Sequence, residues 1–403
     1  MGFFDILKKK KNEEKKPVQE SKVVSGKIDG KTQIIFLSGD INSNNAQEVE
    51  DAIDSLLKND LDLIIDCNNL NYISSAGLRI LLRLRKSFEN LRIINVKSDV
   101  YDVFDMTGFT KIMTVEKAYK ELSVDGCEVI GRGANGIVYR YDPETVIKVY
   151  KDAGDLDAII HEREVAREAL ILGVPTALSY DVVKVDNSYA SVFELINAKS
   201  FTNVIQENPK EIDKIVNMCA SLLHQIHDIE DKKDSLPHAK AKALEWKNYL
   251  KEGLDEKTMD KLQKLIESIP DSLHLIHGDY HTKNIMLQDG EAIMIDMDTL
   301  SLGDPLFEFA QIYLSYSAFG ELDHSCVTDF LGITWNQAQY VLNETIKKYF
   351  EKEDISDYLD KCALLAYAKL LRRDLKRNIG SLEEREYLKK RITELTNKFD
   401  TLA

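Results

Sequence analysis

Hydrophobic and polar positions change period several times along this chain, and the changes divide it into elements. KVVSGKI and TQIIFL have strand composition and flank Asp29-Gly30, a dipeptide suited to a tight hairpin. Ala46, Val49, Ile53, Leu56 and Leu57 recur at helical spacing, LDLIID reads as a buried strand, and Leu78, Leu81, Leu82 and Phe88 mark a second helix. A short loop is expected between LDLIID and Ser74. LRIINV then predicts a strand, DVYDVFDMTG a short helix and KIMTV a last strand. Such alternation predicts an α/β domain over residues 20–118, with helices covering a mixed sheet.

A new pattern begins after SVDG, and residues 125–403 read as a second domain. CEVIGRGANGIVYRY and TVIKVY are strands around the turn Asp142-Pro143, IIHEREVAREALILG is helical, and VFELI is a further apolar strand. Beyond it the chain is mainly helical, apart from two apolar strands around residues 275–296.

Length supports two domains, since 403 residues exceed one ordinary core. A net charge of -15 excludes general nucleic-acid binding, which needs surplus Lys and Arg. The acidity is read first as solubility and only second as a match for cationic substrates. Five scattered cysteines without a paired motif fit a reducing compartment. With no apolar run of about 18 residues and no signal peptide, a cytoplasmic protein without a transmembrane segment is expected. The opening MGFFDILKKKK is either a flexible lead-in over residues 1–19, the preferred reading, or a segment touching anionic membrane.

Chemistry concentrates in the second domain. Gly131, Gly133 and Gly136 form G-x-G-x-x-G, and because strand leads to strand around them the motif matches a kinase glycine-rich loop rather than a dinucleotide-binding turn. Lys148 interrupts the apolar strand VIKVY, where a structural lysine is hard to explain and a phosphate-gripping one is not. LIHGDYHTKNIML carries H-x-D-x-x-x-x-N in His277, Asp279 and Asn284. AIMIDMD ends a buried strand in Asp296, with Asp298 ranked below it.

These residues resemble the aminoglycoside phosphotransferase and choline kinase-like family more than the protein kinases. IDMD stands in place of DFG, and GDPLFEFA follows it. The resemblance implies a two-lobed protein-kinase-like α+β fold using ATP and Mg2+. Asp279 would be the catalytic base, and Asn284 and Asp296 the metal ligands. Gly131, Gly133, Gly136 and Lys148 would hold the nucleotide, with hinge groups near Glu194, Leu195 and Ile196 meeting adenine. Of Glu162, Glu164 and Glu168, spacing back from Gly173 in the manner of the family selects Glu164 as the partner of Lys148. His281 is either structural or substrate-facing. ALEWKNYL and LDKCALLAYAKLLRRDL are expected to build the pocket of a small-molecule acceptor.

The first domain resembles the STAS fold of anti-sigma factor antagonists, most clearly in DCNNLNYISSAGLRILL. The resemblance implies phosphorylation at Ser75 and an anti-sigma factor or other STAS-binding protein as partner. Ser74 and Ala76 depart from the usual aspartate and serine, and helix capping by Ser74 or Ser75 is the alternative. Three functions follow: a small-molecule phosphotransferase governed by the STAS module, a protein-directed kinase, or a nucleotide-sensing scaffold.

Overall fold

The computed structural model describes residues 23–58, 60–133, 136–151 and 156–403. The lysine-rich opening lies outside them, as do Ala134 and Asn135 of the glycine loop. The chain divides into two compact units between Glu121 and Leu122.

The first unit is a five-stranded mixed sheet in the order β1-β2-β3-β4-β5. β1 (Val24–Asp29) and β2 (Thr32–Ile41) form the antiparallel hairpin expected around Asp29-Gly30. β3 (Asp62–Ile73), β4 (Arg92–Val96) and β5 (Thr114–Lys117) add in parallel, connected by α1 (Ala46–Leu56), α2 (Ser75–Ser87) and α3 (Ser98–Met106). Ile35, Leu63, Ile65, Leu81, Leu84 and Phe104 fill the layer between sheet and helices.

Two sequence readings change here. No loop precedes Ser74: β3 continues to Ile73, still paired to β2, with register shifts at Cys67–Asn68 and at Asn71. KIMTV is not a full strand either, because Phe109–Lys111 form a 3-10 turn that turns Phe109 into the core.

The second unit begins with an antiparallel sheet whose strand order is β6-β10-β11-β9-β8-β7. Its strands are β6 (Glu121–Leu122), β7 (Glu128–Arg132), β8 (Gly136–Arg140), β9 (Thr145–Tyr150), β10 (Ser179–Val185) and β11 (Ser188–Glu194). α4 (Leu156–Leu172) precedes β10. This lobe has a small core of its own around Ile147, Val183, Val185 and Ala190.

The larger lobe starts with β12 (Lys199–Ser200), α5 (Phe201–Glu207) and α6 (Ile212–His227), then α7 (Ala239–Leu244), α8 (Lys247–Leu250) and α9 (Glu256–Ser268). Short strands β13 (Leu275–Ile276), β14 (Ile285–Gln288), β15 (Glu291–Met294) and β16 (Ser301–Leu302) frame a loop-rich segment. α10 (Pro305–Tyr316), α11 (His324–Leu331), α12 (Trp335–Phe350), α13 (Ser356–Arg377) and α14 (Leu382–Lys398) complete it. Residues Cys362–Ala368 of α13 are all buried, which places this helix at the centre of the lobe. The two lobes are tied where Met294 N donates to Pro175 O at 2.7 Å, just beyond α4. No helix among the described residues is long and apolar enough to cross a membrane.

Candidate functional site

A carboxylate inside an apolar helix must find donors, because an unpaired buried charge is costly. Glu308, fully buried on α10, accepts from Gly278 N at 2.9 Å and from His277 N. Burial pushes its carboxyl up, but His227, whose Nε2 lies 3.8 Å away, the charge of His277 and the Gly278 N–H outweigh this and keep it below the usual carboxylate range. Thr299 Oγ1 closes the other side of the loop by donating to His277 O at 2.7 Å. Gly278 has φ +81°, and a Cβ there would approach Thr299 O to 2.8 Å, so glycine is needed between the loop's histidine and aspartate.

Asp279 is thereby held in place. Its Oδ1 accepts from Gln311 Nε2 at 3.2 Å, Asn284 Nδ2 lies 3.4 Å from Oδ2 and 3.2 Å from the Asp279 carbonyl, and His281 Nε2 lies 3.5 Å from Oδ2. Burial works to raise its pKa, yet hydrogen bonding from His281 and the charges of His281, His277 and Lys369 prevail and keep the carboxylate ionised. Spending Nδ2 on Asp279 leaves the Asn284 amide oxygen facing away from that residue.

Ile295 N donates to Asn284 O at 2.9 Å, which brings the end of β15 to the same place. There Asp296 adopts a left-handed φ of +66° and accepts from Lys148 Nζ at 3.0 Å. Lys148 also donates to Glu162 Oε1 at 2.7 Å, from the middle of β9, where it is paired with Val138 of β8 and Ser191 of β11. Burial pulls the lysine pKa down, but the carboxylates of Asp296 and Glu162 more than offset it and hold the ammonium charged. Asp298 behaves in the opposite way: burial and the adjacent Asp296 charge push it up to about 7.

The partner of Lys148 corrects the sequence reading. Glu164 is exposed, whereas Glu162 shares the buried face of α4 with Ile159, Val165, Ala166 and Ala169. Positions two apart on a helix point some 200° away from each other, so only one of them can face the sheet.

The glycine loop is described at Gly131, Gly133 and Gly136. Gly133 N donates to Gly136 O at 2.9 Å, and Lys151 Nζ reaches Gly133 O at 2.9 Å. A side chain at Gly136 would collide with the Val149 carbonyl, so this glycine is imposed by the β8–β9 pairing. At the hinge, Glu194 N donates to Leu178 O and Leu195 N to Glu144 O, at 2.9 and 2.7 Å. Ile196 N–H has no acceptor among the described residues, and Ile196 O accepts from Ala198 N.

The profile of the phosphotransferase enzyme family matches residues 127–334, more than half of the chain. The chain belongs to the phosphotransferase enzyme family. The STAS domain profile matches residues 24–122 of the same phosphotransferase. Over 99 residues the chain is 34% identical to BtrV of Bordetella bronchiseptica, named as an anti-sigma factor antagonist, covering 23% of this chain and 84% of that one. A solved structure of aminoglycoside phosphotransferase APH(4)-Ia in ternary complex with ADP and hygromycin B superposes with a TM-score of 0.50 at 14% identity, over 68% of this chain and 94% of that one. At that identity the likeness concerns the fold, which is the two-lobed kinase-like one.

In the STAS unit of this phosphotransferase, Ser74 is the N-cap of α2, its Oγ accepting from Gly77 N at 3.4 Å. Ser75 is the first helical residue, and it is exposed. Sequence reasoning missed Glu162, Glu308, Gln311 and Lys369 as site residues. The signal for Glu308 and Gln311 was present, since both are polar residues in the otherwise apolar run PLFEFAQIYL.

Proposed function

We propose that this phosphotransferase transfers the γ-phosphoryl group of ATP to a hydroxyl of a small molecule, with Asp279 as base, and that its STAS module regulates it. The observation that carries the reading is the convergence of Lys148, Asp296, Asn284 and Asp279 through contacts of 2.9 to 3.4 Å, the Ile295 N to Asn284 O bond included. Lys148, clamped between two carboxylates, is positioned to hold nucleotide phosphates as a fixed charge. The Ile196 amide is the hinge donor for adenine.

The donor set of the Asn284 amide oxygen and the Asp296 carboxylate suits Mg2+, a hard cation that commonly binds one or two protein oxygens together with phosphates and water. When bound, Mg2+ would supply positive charge against the developing negative charge on the phosphates. Asp279 takes the acceptor's proton as the acceptor oxygen bonds to Pγ. The bond from Pγ to the β,γ-bridging oxygen breaks, and ADP departs with its electron pair. Gln311 and Asn284 orient Asp279 for this role, and positioning accounts for much of the catalysis in phosphoryl transfer.

For the STAS module the supporting observations are the exposed Ser75 hydroxyl at a helix start and the likeness to an anti-sigma factor antagonist. Phosphate there would sit against the positive end of α2 and alter the docking of an anti-sigma factor or related protein. Full-length protein with Mg-ATP and a panel of hydroxylated acceptors tests the first reading. ADP release that depends on an acceptor is expected, and nucleotide binding without turnover of any acceptor would count against it. Mass spectrometry of Ser75, in the protein isolated from cells, tests the second.

A further inference from the structure

Outward from Asp279, Gln311 leads to a row of cations. Gln311, which donates to Asp279, accepts from Lys369 Nζ at 2.5 Å. Lys369 begins a row on α13: Lys369, Arg372 and Lys376 lie three and four residues apart and therefore share one helical face. Tyr249 of α8 backs the row, its ring centroid 5.5 Å from the Arg372 guanidinium carbon and 5.8 Å from Lys376 Nζ. Lys242 of α7 is near enough for charge to act between it and both Lys369 and Asp298.

None of these four cations makes an ion pair among the described residues, and Arg372 Nε is buried with no hydrogen-bond partner. The nearby acids are otherwise engaged. Glu308 holds the backbone of His277 and Gly278, and Asp279 is held by Gln311, His281 and Asn284. Lys369 is depressed first by burial and then by the like charges of Lys242 and Arg372, against the pull of Asp279 and Glu308. Unpaired like charges held close together repel one another unless a ligand of opposite sign is bound.

We infer that the acceptor of this phosphotransferase is an anionic alcohol, a small molecule carrying a phosphate or carboxylate group that Lys242, Lys369, Arg372 and Lys376 bind while its hydroxyl faces Asp279. The inference rests on the phosphotransferase reading above and narrows its substrate class. It excludes polycationic acceptors of the aminoglycoside kind, which this row would repel. The transfer is unchanged: the acceptor oxygen bonds to Pγ, its proton passes to Asp279, and ADP leaves with the electron pair of the broken bond. The acceptor's own anionic group takes no part in bond making.

The test uses full-length protein saturated with Mg-AMP-PNP, so that the nucleotide site is filled. Inorganic sulfate, glycerol 3-phosphate, glycerol and hygromycin B are then titrated in a calorimeter. Sulfate and glycerol 3-phosphate are expected to bind, glycerol to bind at least tenfold more weakly, and hygromycin B not at all. Arg372→Gln is expected to weaken both anions roughly tenfold or more, the size of one charge-assisted contact. Lys242→Gln, on an exposed side chain whose loss leaves the fold intact, is expected to act in the same direction. Failure of both anions to bind, equal binding by wild type and variants, or tighter binding of hygromycin B than of glycerol 3-phosphate would overturn the inference. Failure of AMP-PNP itself to bind would instead overturn the phosphotransferase reading beneath it.

Discussion

Replacing Glu162 by Gln separates the geometric assignment of the lysine partner from the one that spacing suggests. Lys148 and Glu162 are in contact at 2.7 Å with side chains only 14% and 8% exposed, so solvent screens the pair weakly. Glutamine keeps the shape and one acceptor oxygen but loses the charge. A hydrogen bond to a charged group contributes about 1.5–3 kcal/mol against roughly 1 for a neutral one, so the loss is about 0.5–2 kcal/mol. Through the usual conversion this corresponds to a roughly 2- to 30-fold weaker grip on the nucleotide phosphates. Asp296, still 3.0 Å from Lys148, limits the damage by retaining the ammonium in the site. The assay is the KM for ATP together with direct AMP-PNP affinity, measured in parallel for Glu162→Gln and Glu164→Gln. Because Glu164 is exposed, its variant should remain within about twofold of wild type. Equal effects of the two variants, or a larger effect at Glu164, would refute the reasoning.

Three further outcomes follow from the same geometry. Asp279→Asn should lower kcat by roughly 10²- to 10⁴-fold while leaving AMP-PNP affinity nearly unchanged, as expected for loss of a general base. Gly136→Ala should force the β8 and β9 backbones apart at Val149, costing about 1–3 kcal/mol by the general scale for overpacking, and nucleotide affinity measured by calorimetry should fall. Glu308→Gln should place an amide where a carboxylate now accepts two backbone N–H groups; a loss of about 2–4 kcal/mol is expected, read as a lower unfolding midpoint and a reduced kcat.

Much of this protein is written locally. The hairpin at Asp29-Gly30, the alternation of strands and helices through Val96, the HGDYHTKN loop and the acid-ended strand AIMIDMD depend on residues close in sequence, and period and turn chemistry reveal such features directly. Family likeness extended this to the two-lobed fold, because four motifs recur in order. The sequence alone misjudged β3 beyond Asp66, where polar Asn68, Asn69 and Asn71 resemble a loop, yet the strand stays paired to β2 through Asn69, Leu70, Tyr72 and Ile73, and Asn68 N donates to Asp66 Oδ1 instead.

Only the tertiary structure decided which groups meet across long separations. Glu162 rather than Glu164 reaches Lys148 because the packing of α4 fixes which face of the helix is buried, and a spacing rule cannot supply that rotation. Lys369 stands 90 residues beyond Asp279, in a segment the sequence assigns to the acceptor pocket without singling out any of its residues, and nothing local links it to the catalytic loop. The sign of the charge facing the acceptor differs from that of a chain with net charge -15, because the total charge is a sum over the whole surface whereas the acceptor is bound by a few side chains that folding gathers in one cleft.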